Sequence, residues 1–232
     1  MIKKHLKNFY KSGNRFFNRY RERPITRNFG FYRGTPIDRY FINHWIKDFL
    51  SNIDPDRKLR GIEIGGFDYL NPKSKKYFAN ELVPEKQFKK FKQSICIDLN
   101  KPSTFKLEQK EKYDFVICTQ VLHVLKDDLN GLKIINRLLK KNGMIVGSTA
   151  GTINPISLYD YERWGCYRGY SDQGLRSILE KSKFDSQIKT VGNFNLAYEI
   201  LNGAVIEDID KNLLDENDKL FQILHLFKAY KI

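Results

Sequence analysis

The chain has 232 residues, 41% hydrophobic and 29% charged, with 41 Lys and Arg against 27 Asp and Glu for a formal net charge of +14. That length suits one large domain or a domain with an appended segment, and the composition excludes a disordered chain. No run of about 18 apolar residues occurs, which argues against a membrane-spanning helix. The basic start MIKKHLKNFY is followed by no apolar stretch, so no secretory signal is expected and the expected compartment is the cytoplasm. Cys96, Cys118 and Cys166 lie far apart with no CxxC pair, which disfavours a zinc knuckle or a disulfide scaffold, and no metal is expected.

The charge is unevenly placed. Residues 1–28 hold nine Lys/Arg and one acid, Glu22, for a net of +8, leaving +6 for the other 204 residues. Ile2, Leu6, Phe9, Phe16 and Tyr20 recur in this arm at helical spacing with basic residues between them. Such a basic amphipathic arm reads as a solvated helix docked on its own domain, as an element lying on an anionic membrane surface, or as a nucleic-acid or partner contact. Pro24 ends it.

Residues 36–50 read as a helix, with Pro36 in the first turn and a continuous face of Ile37, Tyr40, Phe41, His44, Trp45 and Phe49. Short apolar runs follow at 59–65, 77–82, 94–99, 113–118 and 143–149. Between the last two lies DDLNGLKIINRLLKKNG. It opens on acids, repeats Leu129, Leu132, Ile135 and Leu139, and closes on Lys140, Lys141 and Gly143, as a helix dipole and a glycine C-cap require. The final LFQILHLFKAY reads as a late strand. Alternation of strands and helices predicts an α/β fold: a doubly wound, mostly parallel, Rossmann-like sheet with helices on both faces and an antiparallel late strand, spanning residues 29–232.

Open α/β sheets bind ligands at the carboxyl ends of their strands. After the first strand comes Glu63-Ile64-Gly65-Gly66-Phe67-Asp68, a turn the two glycines allow to be sharp; it is not GxGxxG, so a dinucleotide enzyme is disfavoured. An ordinary strand-ending turn is the plainer reading of the pair. Glu81 and Asp98 follow the second and third runs, and with Glu63 they place three acids at the mouth of one sheet. That suits a ligand with hydrogen-bond donors and a positive charge.

Together, Gly61-Ile62-Glu63-Ile64-Gly65, Ile97-Asp98-Leu99, Tyr113 through His123 and Leu138-Leu139-Lys140-Lys141-Asn142-Gly143-Met144-Ile145 resemble a class I S-adenosylmethionine-dependent methyltransferase. The resemblance implies that the turn at Glu63, Gly65 and Gly66 packs on the methionine part of S-adenosylmethionine. It implies further that Glu81 binds the ribose (with Asn80 as the alternative), that Asp98 and Leu99 reach the adenine, and that Gln120 and Leu122 line the sulfonium side. The glycine loop is reduced, and Asn142 stands where the family usually has glycine or proline. Arg33–Tyr40 (RGTPIDRY) and Tyr159–Arg168 (YDYERWGCYR) are similar to a subgroup of that family associated with glycan and polysaccharide biosynthesis.

Methyl transfer from a sulfonium is an in-line displacement, so alignment in a dry site supplies much of the acceleration, while a hydroxyl acceptor benefits from a base. His123 is the candidate by position, although a histidine packed against the sheet is its plainer reading, and Asp160 is a comparable candidate. Arg39, Arg163 and Arg168 suit a phosphate or acidic sugar, while Tyr161, Trp164 and Tyr167 offer faces for a sugar ring or simply pack. The expectation is O-methylation of a sugar or sugar phosphate in cell-surface glycan synthesis, with the arm holding the enzyme near lipid-linked acceptors at the inner membrane surface. The alternatives are an RNA methyltransferase that uses the arm, weakened by the lack of any RNA-binding module, and a catalytically silent scaffold.

Overall fold

A computed structural model describes residues 23–53, 59–66, 68–70, 77–80 and 97–232, with the side chains of 77–80 excepted. Most of the basic arm, together with Glu81 and Cys96, lies outside the described residues.

The elements are α1 (Ile37–Ser51), β1 (Gly61–Ile64), β2 (Tyr77–Asn80), β3 (Tyr113–Thr119), α2 (Asp128–Leu138), β4 (Leu139–Ala150), α3 (Leu158–Arg163), α4 (Asp172–Lys181), β5 (Phe184–Val191), α5 (Phe194–Asn202) and β6 (Leu224–Lys231). They build one six-stranded sheet in the order β2-β1-β3-β4-β6-β5. β1 pairs in parallel with both β2 and β3, and β3 with β4. β6 runs antiparallel between β4 and β5. This is the mostly parallel, Rossmann-like sheet with an antiparallel late strand that the pattern predicts.

Strand alternation sorts the core into two layers. Val116 and Cys118 of β3, with Ile62 and Ile64 of β1, pack under α2 and α4 through Leu132, Ile135, Leu175 and Leu179. Phe115 and Ile117 face the other way and meet α1 and α5 through Ile42, Ile46, Leu196 and Ile200. Near-continuous burial of β1 and β3 is what a parallel sheet covered on both faces imposes.

Two expectations fail here. In the 94–99 run, the described part, Ile97–Leu99, is not a strand. The Asp98 amide donates to Thr104 Oγ1 at 2.9 Å and Asp98 Oδ1 accepts from the Asn100 amide at 2.9 Å, so the segment closes into a turn while Ile97 and Leu99 stay in the core. The helix before β4 also stops earlier than Lys141. It ends at Leu138 with Leu139 already extended, and the left-handed residue of the following turn is Asn142 (φ 63°) rather than Gly143. Asn tolerates that conformation because its short amide can bond locally. Lys140 turns to Asp114, its Nζ 2.8 Å from Oδ2.

Candidate active site

The chain leaves β1 toward β2 on one side and returns to β3 on the other, so a crevice opens between the ends of β1 and β3, where sheets of this type receive ligands. A cavity of about 650 Å³ lies there. Gly65, Thr119, Gln120 and Val121 form its floor, Val124 a side, and Phe29, Tyr32, Arg39, Tyr159, Asp160 and Trp164 its outer walls. A second cavity of about 260 Å³ adjoins it, sharing Phe29, Phe31, Arg39, Gln120, Ser157 and Asp160. Asp38, His123, Asn154, Cys166, Tyr167 and Arg168 are among the others that line the smaller one.

Glu63 governs the loop that shapes the floor. It is 2% exposed, and its carboxylate accepts from the amides of Asp68 (2.8 Å), Tyr69 (3.1 Å) and Leu70 (2.9 Å). Burial pushes its carboxyl up, and the three amides work against that. Glu63 therefore positions the backbone of the loop, and its side chain lines neither cavity. Gly65 adopts φ 89°, and a Cβ there would stand 2.9 Å from Val121 Cγ2, so only glycine fits without strain. Gly66 lines neither cavity, and among the described residues a Cβ there would meet nothing closer than Glu63 Oε1 at 3.9 Å.

At the end of β3, Gln120 takes the left-handed conformation (φ 54°), held by its amide bond to the Ser148 carbonyl at 2.9 Å. Its buried Oε1 has no hydrogen-bond partner among the described residues. The next turn carries His123, 7% exposed, with Nδ1 likewise buried and unpartnered. Burial lowers its pKa to about 4, the Asp160 carboxylate opposing that and Arg39 adding to it, so the imidazole is neutral at physiological pH. Asp38 is the site residue whose role sequence reasoning missed. It is an acid on the buried face of α1, 8% exposed, with Oδ1 unpartnered among the described residues and its carboxyl pushed up by burial. An acid at a core-facing helical position was the available signal.

The other expected site residues divide. Arg39, Gln120 and Asp160 face both cavities, Trp164 the larger, and His123, Tyr167 and Arg168 the smaller. Leu99 and Leu122 do not reach either cavity, because both are fully buried in the core under α2. Asp98 lines neither cavity: its Oδ1 accepts from the Asn100 amide and its Oδ2 lies 3.8 Å from Lys101 Nζ. Tyr161 (58% exposed) and Arg163 sit on the outer side of α3, where the Arg163 guanidinium stacks 3.6 Å from the Tyr159 ring centroid. Arg168 is not a free anion clamp either: it pairs with Asp128 at 2.7 Å and donates to the Lys126 carbonyl at 2.9 Å. Glu81 lies outside the described residues, and Asn80 ends β2 opposite Ile64.

This geometry fits a nucleoside sulfonium cofactor: a roomy crevice at the sheet crossover, a glycine floor with no space for a side chain, an unpaired carbonyl acceptor at Gln120 and aromatic walls. Among known proteins, no curated sequence matches the chain. A profile described as a methyltransferase domain matches residues 26–188. Solved structures share the fold. An S-adenosylmethionine-dependent methyltransferase from Mesorhizobium loti is 15% identical, covering 80% of this chain and 96% of that one at a TM-score of 0.55. A possible histamine N-methyltransferase from Thermotoga maritima is 17% identical, covering 82% and 86% at 0.52. The CurJ carbon methyltransferase is 19% identical at a TM-score of 0.48, and the match spans 80% of this chain but only 51% of that one. With more than half its length matched, the chain belongs to the methyltransferase domain family and is an S-adenosylmethionine-dependent methyltransferase.

Proposed function

We propose that the enzyme transfers the methyl group to a hydroxyl of a sugar or sugar phosphate in glycan assembly. The observation that carries this reading is His123: a neutral imidazole that lines a small cavity opening beside the cofactor-sized one. An amine acceptor can react without a base, whereas a hydroxyl needs its proton removed as the new bond forms.

S-adenosylmethionine supplies an electrophilic methyl group when bound. Gly65, Gln120, Val121, Val124 and Trp164 are the residues that would hold it. His123 takes the acceptor's proton, and Asp160 stabilises the imidazolium that results, as its electrostatic effect on His123 indicates. Phe29, Phe31 and Tyr167 line the smaller cavity, and their closing over a bound acceptor would exclude water and strengthen both electrostatic effects. The basic arm is the proposed contact with the inner membrane surface, where lipid-linked acceptors reside, and vesicle co-sedimentation with and without residues 1–22 tests that part.

The central test is calorimetry with S-adenosylmethionine followed by a screen of sugars and nucleotide sugars for S-adenosylhomocysteine release. Turnover on a sugar, lost in His123→Asn with cofactor affinity intact, is the expected result. Turnover only on amines or on carbon acids would overturn the reading.

A further inference from the structure

Helix α5 is apolar on two faces. Leu196, Ala197 and Ile200 are buried in the core, while Phe194, Tyr198 and Leu201, spaced i, i+4 and i+7, form a second stripe on the outer face. Phe194 is 61% exposed and Leu201 51%. A helix that is apolar all round is normally covered all round, and an exposed apolar stripe marks a surface that something else occupies.

The start of the chain enters beside this stripe. The Ile25 amide donates to the Asn202 carbonyl at 2.8 Å, and a Cβ at Gly203 would collide with the Thr26 carbonyl. Residues 1–22 therefore lead away from the Leu201 end of α5. Tyr20 and Phe16, the last two members of the arm's apolar stripe, stand five and nine positions before Ile25. Five residues span at most about 18 Å. The outer stripe of α5, seven helical steps from Phe194 to Leu201, is about 11 Å long, so the chain is long enough for Tyr20 to reach it.

Charge points the same way. Residues 1–22 carry seven Lys/Arg and one acid, a net of +6, whereas residues 199–220 carry seven acids and two lysines, a net of −5 within a chain of +14. The exposed Glu207 and Asp208 follow the C-terminal end of α5. Asp215, Glu216 and Asp218 lie near its other end, where the Asn193 side chain donates to the carbonyls of Leu213 (2.9 Å) and Glu216 (3.0 Å) and the Asp218 amide to that of Gly192 (2.7 Å).

We infer that the outer face of α5 is the dock for the chain's own N-terminal arm, whose stripe ending in Phe16 and Tyr20 covers Phe194, Tyr198 and Leu201. Arg15, Arg19 and Arg21 each stand one position from Phe16 or Tyr20, about 100° round a helix, and so flank the contact within reach of the acids at its two ends. Lys4, Lys7 and Lys11 fall on the opposite side of the arm and stay outward. The membrane contact proposed for the arm is then made by its charge, without insertion of its apolar stripe.

Hydrogen exchange of the full chain without lipid, followed by mass spectrometry, tests the dock. Peptides within residues 14–22 should exchange at least about tenfold more slowly than an unstructured chain, because so short a helix is marginal unless packed. Leu201→Asp, at an exposed position, should return them to within about twofold of the unstructured rate while peptides from β3 stay unaltered. Leu201→Met should keep the protection. Unprotected exchange of the arm in wild type, or protection that survives Leu201→Asp, overturns the inference. Protection that grows with protein concentration would make a second copy the occupant, and protection that appears only with phosphatidylglycerol vesicles would make it the membrane; either also overturns it.

Discussion

The Tyr167 amide donates to the His123 carbonyl at 2.8 Å. The segment roofing the smaller cavity thus hangs from the same short turn that carries the imidazole, and Arg168, one residue on, fastens it again through Asp128. Asp128 also accepts from the Tyr170 hydroxyl, which makes it the anchor of the whole roof.

Arg168→Ala should therefore loosen the roof without touching the cofactor floor. Acceptor KM is expected to rise several-fold, and urea unfolding to show a loss of about 2 kcal/mol from the broken ion pair. S-adenosylhomocysteine affinity should stay within about twofold of wild type. A large loss of cofactor affinity would mean that the roof and floor are one unit.

His123 makes stability depend on pH. The unfolded chain binds its proton near pH 6.5, whereas burial delays protonation in the folded chain to about pH 4. Between these values the unfolded state holds more protons, so stability falls as pH is lowered, with the full contribution present above pH 6.5 and lost by pH 4. Between about pH 7.5 and 5, wild type is expected to lose about 2 kcal/mol more than His123→Asn in urea unfolding. Equal losses in the two proteins would show that the imidazole is not held neutral.

Glu63→Gln keeps the shape and removes the charge that three amides share. One amide then faces an NH2 group instead of an oxygen. A loss of about 2–3 kcal/mol is expected, with at least about tenfold weaker S-adenosylhomocysteine binding because Gly65 moves with the loop. Circular dichroism melts and calorimetry measure the two effects separately.

Adjacent glycines should behave differently. Gly65→Ala forces a Cβ into left-handed backbone and against Val121, for an expected loss of about 1–2 kcal/mol and weaker cofactor binding. Gly66→Ala meets no atom of the described residues closer than 3.9 Å and should change stability by less than about 0.5 kcal/mol. Paired urea titrations of the two variants decide the point.

The elements legible in the sequence were those with strong periodicity. The buried runs of β1 and β3 and the late β6 follow from which residues must leave water. Helix α1 was legible as a helix, but its buried face is Ile37, Asp38, Ile42, Ile46 and Phe49, while Tyr40, Phe41 and Trp45 of the expected face are only partly buried and His44 is exposed. The 94–99 run was misleading because Ile97 and Leu99 are buried in alternation, as in a strand, yet the polar bonds of Asp98 and Thr104 bend the backbone out of pairing. Arg168 looked like an anion ligand because its partner, Asp128, lies 40 positions away, and no local pattern announces such a pair. Leu99 and Leu122 adjoin site residues in sequence, but their side chains are consumed by the core. Asp38 was hidden for the opposite reason: a charged residue in a helix's first turn reads as dipole complement, and only the fold shows it sealed against a cavity.

The placement of β6 has a consequence for how the sheet is completed. Among the described strands β5 pairs only with β6, and β4 has β6 as its outer neighbour, so the last of the six strands in chain order is the one that joins them. Until it arrives, β4 and β5 each expose an unzipped row of amides and carbonyls, an invitation to pair with another chain. Truncation before Leu224 is expected to yield aggregate even though Gly65, Gln120, His123 and Asp160 would all be present.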